Sequence, residues 1–268
     1  ARLIEADICD PASIDAGIGD ENIDAIIHLA ARAGVRPSLE RPLDYVRTNV
    51  EGTMAMLELA RMRRIRPFVF GSSSSVYGAS TPAPFLESGA AADPISPYAA
   101  TKRAAELLCR SHAHLYGLSV ICLRLFTVYG PRQRPDLAIH KFARLMSESK
   151  AVPFFGDGGS ARDYTYVADI VHGIDAALDW ATMSEPGAFE IVNLGESETT
   201  SLSELVKLIA SELKATPELN RLPSQPGDVQ QTFASVEKAR ALLGYAPRTS
   251  MKEGIARFVE WFQGQQAS

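Results

Sequence analysis

The chain has 268 residues, 46% hydrophobic and 22% charged, enough to bury a sizeable core and near the size at which chains divide into two domains. A net charge of -5 excludes a general attraction to nucleic acid or an anionic membrane, since both need clustered excess Lys and Arg. No apolar run reaches the ~18 residues of a membrane span, and Arg2, Glu5, Asp7 and Asp10 make Ala1–Asp10 unlike a signal peptide. Cys9, Cys109 and Cys122 are too few and too scattered for a disulfide framework or a structural zinc site, and read as reduced thiols of a cytoplasmic protein.

In chain order, the apolar run Ala25–Ala30 predicts a buried strand, and Pro42–Arg64, with apolar residues three and four apart, a helix. Phe68–Phe70 is a second strand, Pro97–Tyr116 a second helix and Val120–Phe126 a third strand. This alternation predicts right-handed βαβ crossovers on a doubly wound parallel sheet, which Phe189–Leu194 joins. Leu202–Leu213 predicts an amphipathic helix opened by Ser201 or Ser203. A Pro-containing stretch, Pro217–Asp228, precedes two more helices, near Val236–Leu243 and Met251–Gln263. The expected organisation is a Rossmann-type domain over residues 1–129 and 163–195. A smaller α/β substrate domain, residues 130–162 and 196–268, closes over the strand ends where such folds bind ligands.

The strongest local signal is Tyr98-Ala-Ala-Thr-Lys102. Spacing of four puts both side chains on one helix face. A Lys ammonium beside a phenol favours phenolate, lowering the Tyr pKa from ~10. Such a Tyr can take a proton from an alcohol while hydride leaves its carbon, with a Ser hydroxyl from the preceding strand end holding the same oxygen. The motif alone is weak, because most such pairs are ordinary surface residues. His28, inside a strand, reads as a satisfied core histidine. His112 and His114, two apart on a helix, point away from each other, so no metal site is expected.

The context is specific. His28–Ala31 (HLAA), Asn49–Thr53 (NVEGT), Ser72–Gly78 (SSSSVYG), Tyr98–Lys102, Arg124–Pro131 (RLFTVYGP), Arg162–Ile170 (RDYTYVADI), Pro226–Val229 (PGDV) and Lys238–Tyr245 occur in order. Together they resemble the extended short-chain dehydrogenases that act on nucleotide sugars. The resemblance implies NAD as cofactor, Ser73 as the catalytic hydroxyl, Tyr98 as base and Lys102 as its electrostatic partner, also holding the nicotinamide ribose. It implies further that Asp7 and Ile8, at the end of a third strand, contact the adenine edge, and that Leu29, Ala30, Ala31, Asn49 and Phe126 line the cofactor. The family's Gly-rich phosphate loop would precede Asp7. A preceding run of roughly 50 residues is therefore expected to lie outside this sequence, and without it NAD should bind weakly.

Relatives that eliminate water have an Asp-Glu pair before the residue matching Val76, and decarboxylating ones a Glu. Ser74 and Ser75 stand here, which argues for reversible oxidation at C4 and return of hydride, an epimerisation. Ala30–Arg36 (AARAGVR), Thr127 and Arg134–Asp136 (RPD) resemble UDP-glucuronate 4-epimerases, which implies conversion of UDP-glucuronate to UDP-galacturonate. A 4-keto uronate readily loses its carboxylate, and the hydroxyls of Ser74, Ser75 and Thr127 are candidates to hold it. Arg134 would lie near that carboxylate or the phosphates. Arg162 resembles the Arg on the UDP diphosphate, Asp228 the carboxylate on the uridine ribose, and Arg36 is a weaker sugar or phosphate candidate. Phe154 and Phe155 flank the uracil or pack in the core. The resemblance implies a homodimer through Pro42–Arg64 and Pro97–Tyr116. A UDP-glucose or UDP-N-acetylglucosamine 4-epimerase, or a non-catalytic NAD-sensing protein on the same fold, remain the alternative readings.

Overall fold

A computed structural model describes residues 1–89, 91, 93–223 and 231–266; Asp228 and the PGDV run therefore lie outside the described residues. The chain opens with α1 (Pro11–Ile18), β1 (Ile26–His28), α2 (Val35–Glu40) and α3 (Pro42–Tyr45), which runs through a π-helical turn, Val46–Glu51, into α4 (Gly52–Met62). Next come β2 (Pro67–Ser73), α5 (Pro97–Tyr116), β3 (Ser119–Leu125), β4 (Thr127–Tyr129), α6 (Ala138–Ser147) and β5 (Val152–Phe155). The pair β6 (Ala161–Arg162) and β7 (Tyr164–Tyr166) leads to α7 (Val167–Met183), β8 (Phe189–Leu194) and β9 (Thr200–Ser201). The chain closes with α8 (Leu202–Leu213), β10 (Leu219–Leu222), α9 (Glu237–Leu243) and α10 (Met251–Gln266).

β1, β2, β3 and β8 form a parallel sheet in that order. Every residue of β2 is buried, as expected for a strand covered by helices on both faces. Strand alternation divides the cover cleanly. Phe68, Phe70, Val120 and Cys122 pack with Leu57 and Ala60 of α4 and with Ala105, Cys109 and Ala113 of α5. Val69, Ile121, Leu123 and Val192 face Ile170, Ile174, Ala177 and Ala181 of α7, with Val236, Ala239 and Tyr245 beyond. A separate cluster gathers Ile139 and Phe142 of α6, Phe154 of β5, Leu205 and Ile209 of α8, and Ile255 and Phe258 of α10.

α5 begins where local chemistry dictates. The Ser96 hydroxyl accepts from Ala99 N at 3.1 Å, Pro97 takes the first turn, and Gly117 closes the helix in the left-handed region at φ 71°. Ser201, rather than Ser203, caps α8 by accepting from Glu204 N. The third strand expected at Asp7 is not formed. Asp7 instead heads a turn, accepting from Cys9 N at 2.9 Å and pairing with Arg47 at 3.2 Å, because residues 1–8 have no ladder partner among the described residues. Ile8 packs toward the first turn of α4, where a Cβ on Gly52 would meet it at 2.7 Å. Nor is Pro217–Asp228 irregular throughout, since β10 pairs with β5 across Leu219–Leu222.

Leu57 is wholly buried between α4 and the sheet. Leu57→Ala is expected to lower the unfolding free energy by ~2–5 kcal/mol in urea titration; a loss below ~1 kcal/mol would contradict the packing described.

Candidate active site

The sheet's C-terminal edge gathers the chemistry. β2 delivers Gly71, Ser72 and Ser73 there, and the next turn, Ser74–Tyr77, is anchored by Ser73, whose hydroxyl accepts from Ser75 N at 3.2 Å. α5 runs past this edge. Tyr98 on its first turn is hydrogen-bonded with Ser73, and Lys102 one turn later donates to Gly71 O at 2.6 Å. The three residues named from the motif are therefore brought together. Tyr45, itself buried, meets the Tyr98 ring edge-on at 6.2 Å and donates to Ala33 O at 3.0 Å, which limits rotation of the phenol. Nothing in the sequence reading pointed to Tyr45, because the contact spans unrelated segments.

The electrostatics differ from expectation. Burial pushes the Tyr98 phenol above its ordinary range; the Ser73 hydrogen bond pulls it down, Tyr45 raises it and Arg134 lowers it. The Lys102 ammonium donates to the Gly71 carbonyl and lies 4.9 Å from the centre of the Phe70 ring. Burial also lowers Lys102 itself, to about 8.

Asn49 is a bracket. Its amide accepts from Arg32 N at 2.8 Å and donates to Arg32 O and to the Thr101 hydroxyl, both at 3.0 Å, tying the loop after β1 to α5 beside Tyr98. Both amide N–H donors and one lone pair of the oxygen thus bind protein, so Asn49 shapes a cofactor cleft chiefly by bracing its wall. Leu29 and Ala30 in that loop are exposed and Ala31 is half-buried. The Phe126 side chain packs in the core, its ring 6.2 Å from that of Phe85.

Two cavities, of about 250 and 260 Å³, share Arg36 and Arg162 in their walls. The first also holds Ser74, Ser75, Thr127 and Thr232. The second holds Phe155, Asp136, Lys141 and Tyr164. Every expected sugar-contact position except Arg134 and Asp228 therefore lines them. Arg134 instead forks the Asp136 carboxylate, Nε to Oδ1 at 3.0 Å and Nη2 to Oδ2 at 2.8 Å. Phe154 and Phe155 are separated by strand alternation, Phe154 into the core and Phe155 onto the cavity wall. Asp163 accepts from the Glu196, Ser197 and Ala234 amides, and Asp169 from those of Arg248 and Thr249. Among the described residues no cluster of His, Cys, Asp and Glu could hold a metal ion.

Comparison with known proteins gives the family. Residues 1–195 match the model of the NAD dependent epimerase/dehydratase family, and the chain belongs to that family. It is 42% identical over 241 residues to a UDP-glucuronate 4-epimerase of Thermodesulfobacterium geofontis, covering 90% of this chain and 72% of that one. The crystal structure of a Bacillus cereus UDP-glucuronic acid 4-epimerase with UDP-glucuronic acid and NAD superposes with a TM-score of 0.85 at 33% identity, covering 99% of this chain and 81% of that one. A Thermotoga maritima UDP-glucose 4-epimerase with UDP-glucose gives 0.88 at 29% identity, covering 97% and 84%.

His28 is 3% exposed, and burial and the nearby Lys102 lower its pKa to about 4. Thr53 spends its hydroxyl proton on Asn49 O, so His28 Nε2–H is the donor in their 3.0 Å bond. The unfolded imidazole takes its proton near pH 6.5 and the folded one only near 4. Stability is therefore complete above pH 6.5 and is expected to fall by ~3 kcal/mol as pH drops through that window. His28→Gln should flatten this fall in unfolding titrations; an unchanged slope would assign it to another group.

Proposed function

We propose that the chain is an NAD-dependent UDP-sugar 4-epimerase whose substrate is UDP-glucuronate, giving UDP-galacturonate. The observation that carries it is the convergence of Ser73 and Tyr98 beside a cavity walled by Ser74, Ser75, Thr127 and two arginines. Tyr98 receives the proton of the sugar 4-hydroxyl, and Ser73 holds the same oxygen. Arg36 and Arg162, shared by both cavities, suit the diphosphate, and the second cavity suits the uridine, with Phe155 on its wall. The hydroxyls of Ser74, Ser75 and Thr127 hold the uronate carboxylate out of the alignment in which a 4-keto acid decarboxylates. Arg134, released from Asp136, adds a cation on the same side; Asp228 keeps its proposed place on the uridine ribose.

The residues fit a nicotinamide cofactor. Leu29 and Ala30 offer exposed apolar surface at the end of β1, and a Cβ on Gly71 would meet Leu29 at 2.9 Å, so β2 comes close to that loop beside the Lys102 ammonium. NAD, when bound, would supply the acceptor and donor of hydride at the sugar C4. Lys102 and the loop braced by Asn49 would hold its nicotinamide ribose, and Asp7 and Ile8 its adenine side. Because burial raises the phenol, Tyr98 gains basicity at the cost of being mostly protonated at neutral pH, and the cation brought by the cofactor favours its ionised form.

The division into a nucleotide-binding unit, residues 1–129 and 163–195, and a sugar-binding unit, residues 130–162 and 196–268, is supported by the separate apolar cluster of α6, α8 and α10. A homodimer is supported by the exposed Met62, Leu107, Leu115 and Tyr116 on α4 and α5. A cytoplasmic location is supported by the three free cysteines. No helix among the described residues is long and apolar enough to cross a membrane.

Incubation with UDP-glucuronate and NAD, followed by separation of the sugar nucleotides, is expected to yield UDP-galacturonate. Conversion of UDP-glucose or UDP-N-acetylglucosamine alone would replace this substrate with the neutral-sugar reading. No conversion of any of them, with NAD still bound, would favour a sensing protein. Tyr98→Phe is expected to cut kcat by ~10²–10⁴ with an unchanged urea midpoint. Turnover retained in that variant would remove the phenol from the reaction.

A further inference from the structure

Tyr98, Lys102 and Glu106 fall at i, i+4 and i+8 of α5, one stripe of the helix. The last three residues of β2 meet that stripe one after another. Gly71 O accepts from Lys102 Nζ at 2.6 Å, Ser72 Oγ donates to Glu106 Oε1 at 2.6 Å, and Ser73 bonds Tyr98. Glu106 is also held from the neighbouring strand. Arg124, the register partner of Ser72 on β3, forks its carboxylate with Nε and Nη2, both at 2.9 Å, and Arg103 adds Nη1 at 2.8 Å. Each carboxylate oxygen thus accepts two hydrogen bonds in a site from which water is excluded; Glu106 is 0% exposed and Arg124 1%.

A wholly buried ion pair adds little to stability compared with an apolar pair of the same size. What this one supplies is register. Sliding α5 by a turn would break the Ser72 bond and both Arg124 bonds, and sliding β2 against β3 by a residue would break one set or the other, whereas an apolar patch would tolerate both. We propose that Glu106 is a positioning residue: by joining Ser72, Arg124 and Arg103 it sets the alignment of β2 on α5 that puts the Ser73 hydroxyl on the Tyr98 oxygen. The proposal rests on the epimerase reading only where turnover is the measured quantity.

The carboxylate has a second consequence, through Lys102. The ammonium faces His28 from β1, the Phe70 ring and Gly71 carbonyl from β2, Cys122 from β3, and Cys109 and Glu106 from its own helix, with Arg124 beyond Glu106. His28 is neutral near neutral pH and burial pushes the Cys122 thiol up, while the Glu106 carboxylate helps Lys102 keep its proton against burial.

Ser72→Ala is the cleanest test, since it cuts the strand from Glu106 and leaves both arginines on the carboxylate. It is expected to lower kcat about tenfold with KM within about twofold. Ser72→Thr, which keeps the hydroxyl, should restore most of the loss. Glu106→Gln should move the alkaline limb of the kcat profile to lower pH. Independently of turnover, the Tyr98 phenol can be titrated by ultraviolet difference, each variant being compared with its own Tyr98→Phe partner. In Ser72→Ala that titration should move to higher pH as Ser73 loses its alignment. If Glu106→Gln fails to fold, Glu106→Leu with Arg124→Met replaces the pair by apolar side chains; it should fold and still show the displaced phenol. A phenol titration unchanged in both Ser72→Ala and the double variant would overturn the proposal. Wild-type protein that converts no UDP-sugar, with the phenol titration still displaced in the variants, would overturn the proposed function and leave the positioning role standing.

Discussion

A hydrogen bond inside the core, from the Lys102 ammonium to the Gly71 carbonyl, sets the terms for the site around it. A buried ammonium is costly unless its donors are taken, and here the last turns of a parallel strand take one. The strand end is thereby drawn against α5 at the sheet edge where this architecture opens to ligands. Ser73 and Tyr98 meet at the same strand–helix contact, beside the Gly71–Lys102 and Ser72–Glu106 bonds. The loop after β1 is added to the same place by Asn49, whose amide satisfies both the loop and the hydroxyl of Thr101.

The cleft beside this clamp is built from two kinds of group with different physical duties. Ser74, Ser75 and Thr127 carry no charge near neutral pH, so they can orient a carboxylate without adding an acid to the reaction. Arg36 and Arg162 stand at the boundary between two cavities, where a molecule with an anionic centre would span them. Asp136 already occupies the Arg134 fork, which shows that this guanidinium is presented in a geometry a planar carboxylate can use. Ser73 and Tyr98 thus lie beside a wall that hydroxyls and two guanidinium groups share.

Most of the architecture was legible in the residue pattern because burial dictates it directly. Uninterrupted apolar runs give the strands, as in Phe68–Phe70 within β2. Ser96, Pro97 and Gly117 bound α5 at both ends through capping that depends only on neighbours in sequence. β10 was missed, since Asn220 and Arg221 give it no apolar signal and it exists through pairing with β5. The strand expected at Asp7 failed for the complementary reason: a β-ladder needs a partner, and local composition does not supply one.

The sequence by itself determined which groups could do chemistry: a phenol, an ammonium and a run of hydroxyls, in an order that marks the NAD dependent epimerase/dehydratase family. Only the tertiary structure decided how they are used. Burial raises the Tyr98 phenol, Lys102 donates to a carbonyl, Asn49 braces a loop, Phe126 packs in the core, and Glu106 with Arg124 appears behind the site. The physical reason is distance along the chain. Spacing within one helix or strand fixes which face a side chain takes, but the electrostatic environment of a buried group comes from segments that meet only on folding.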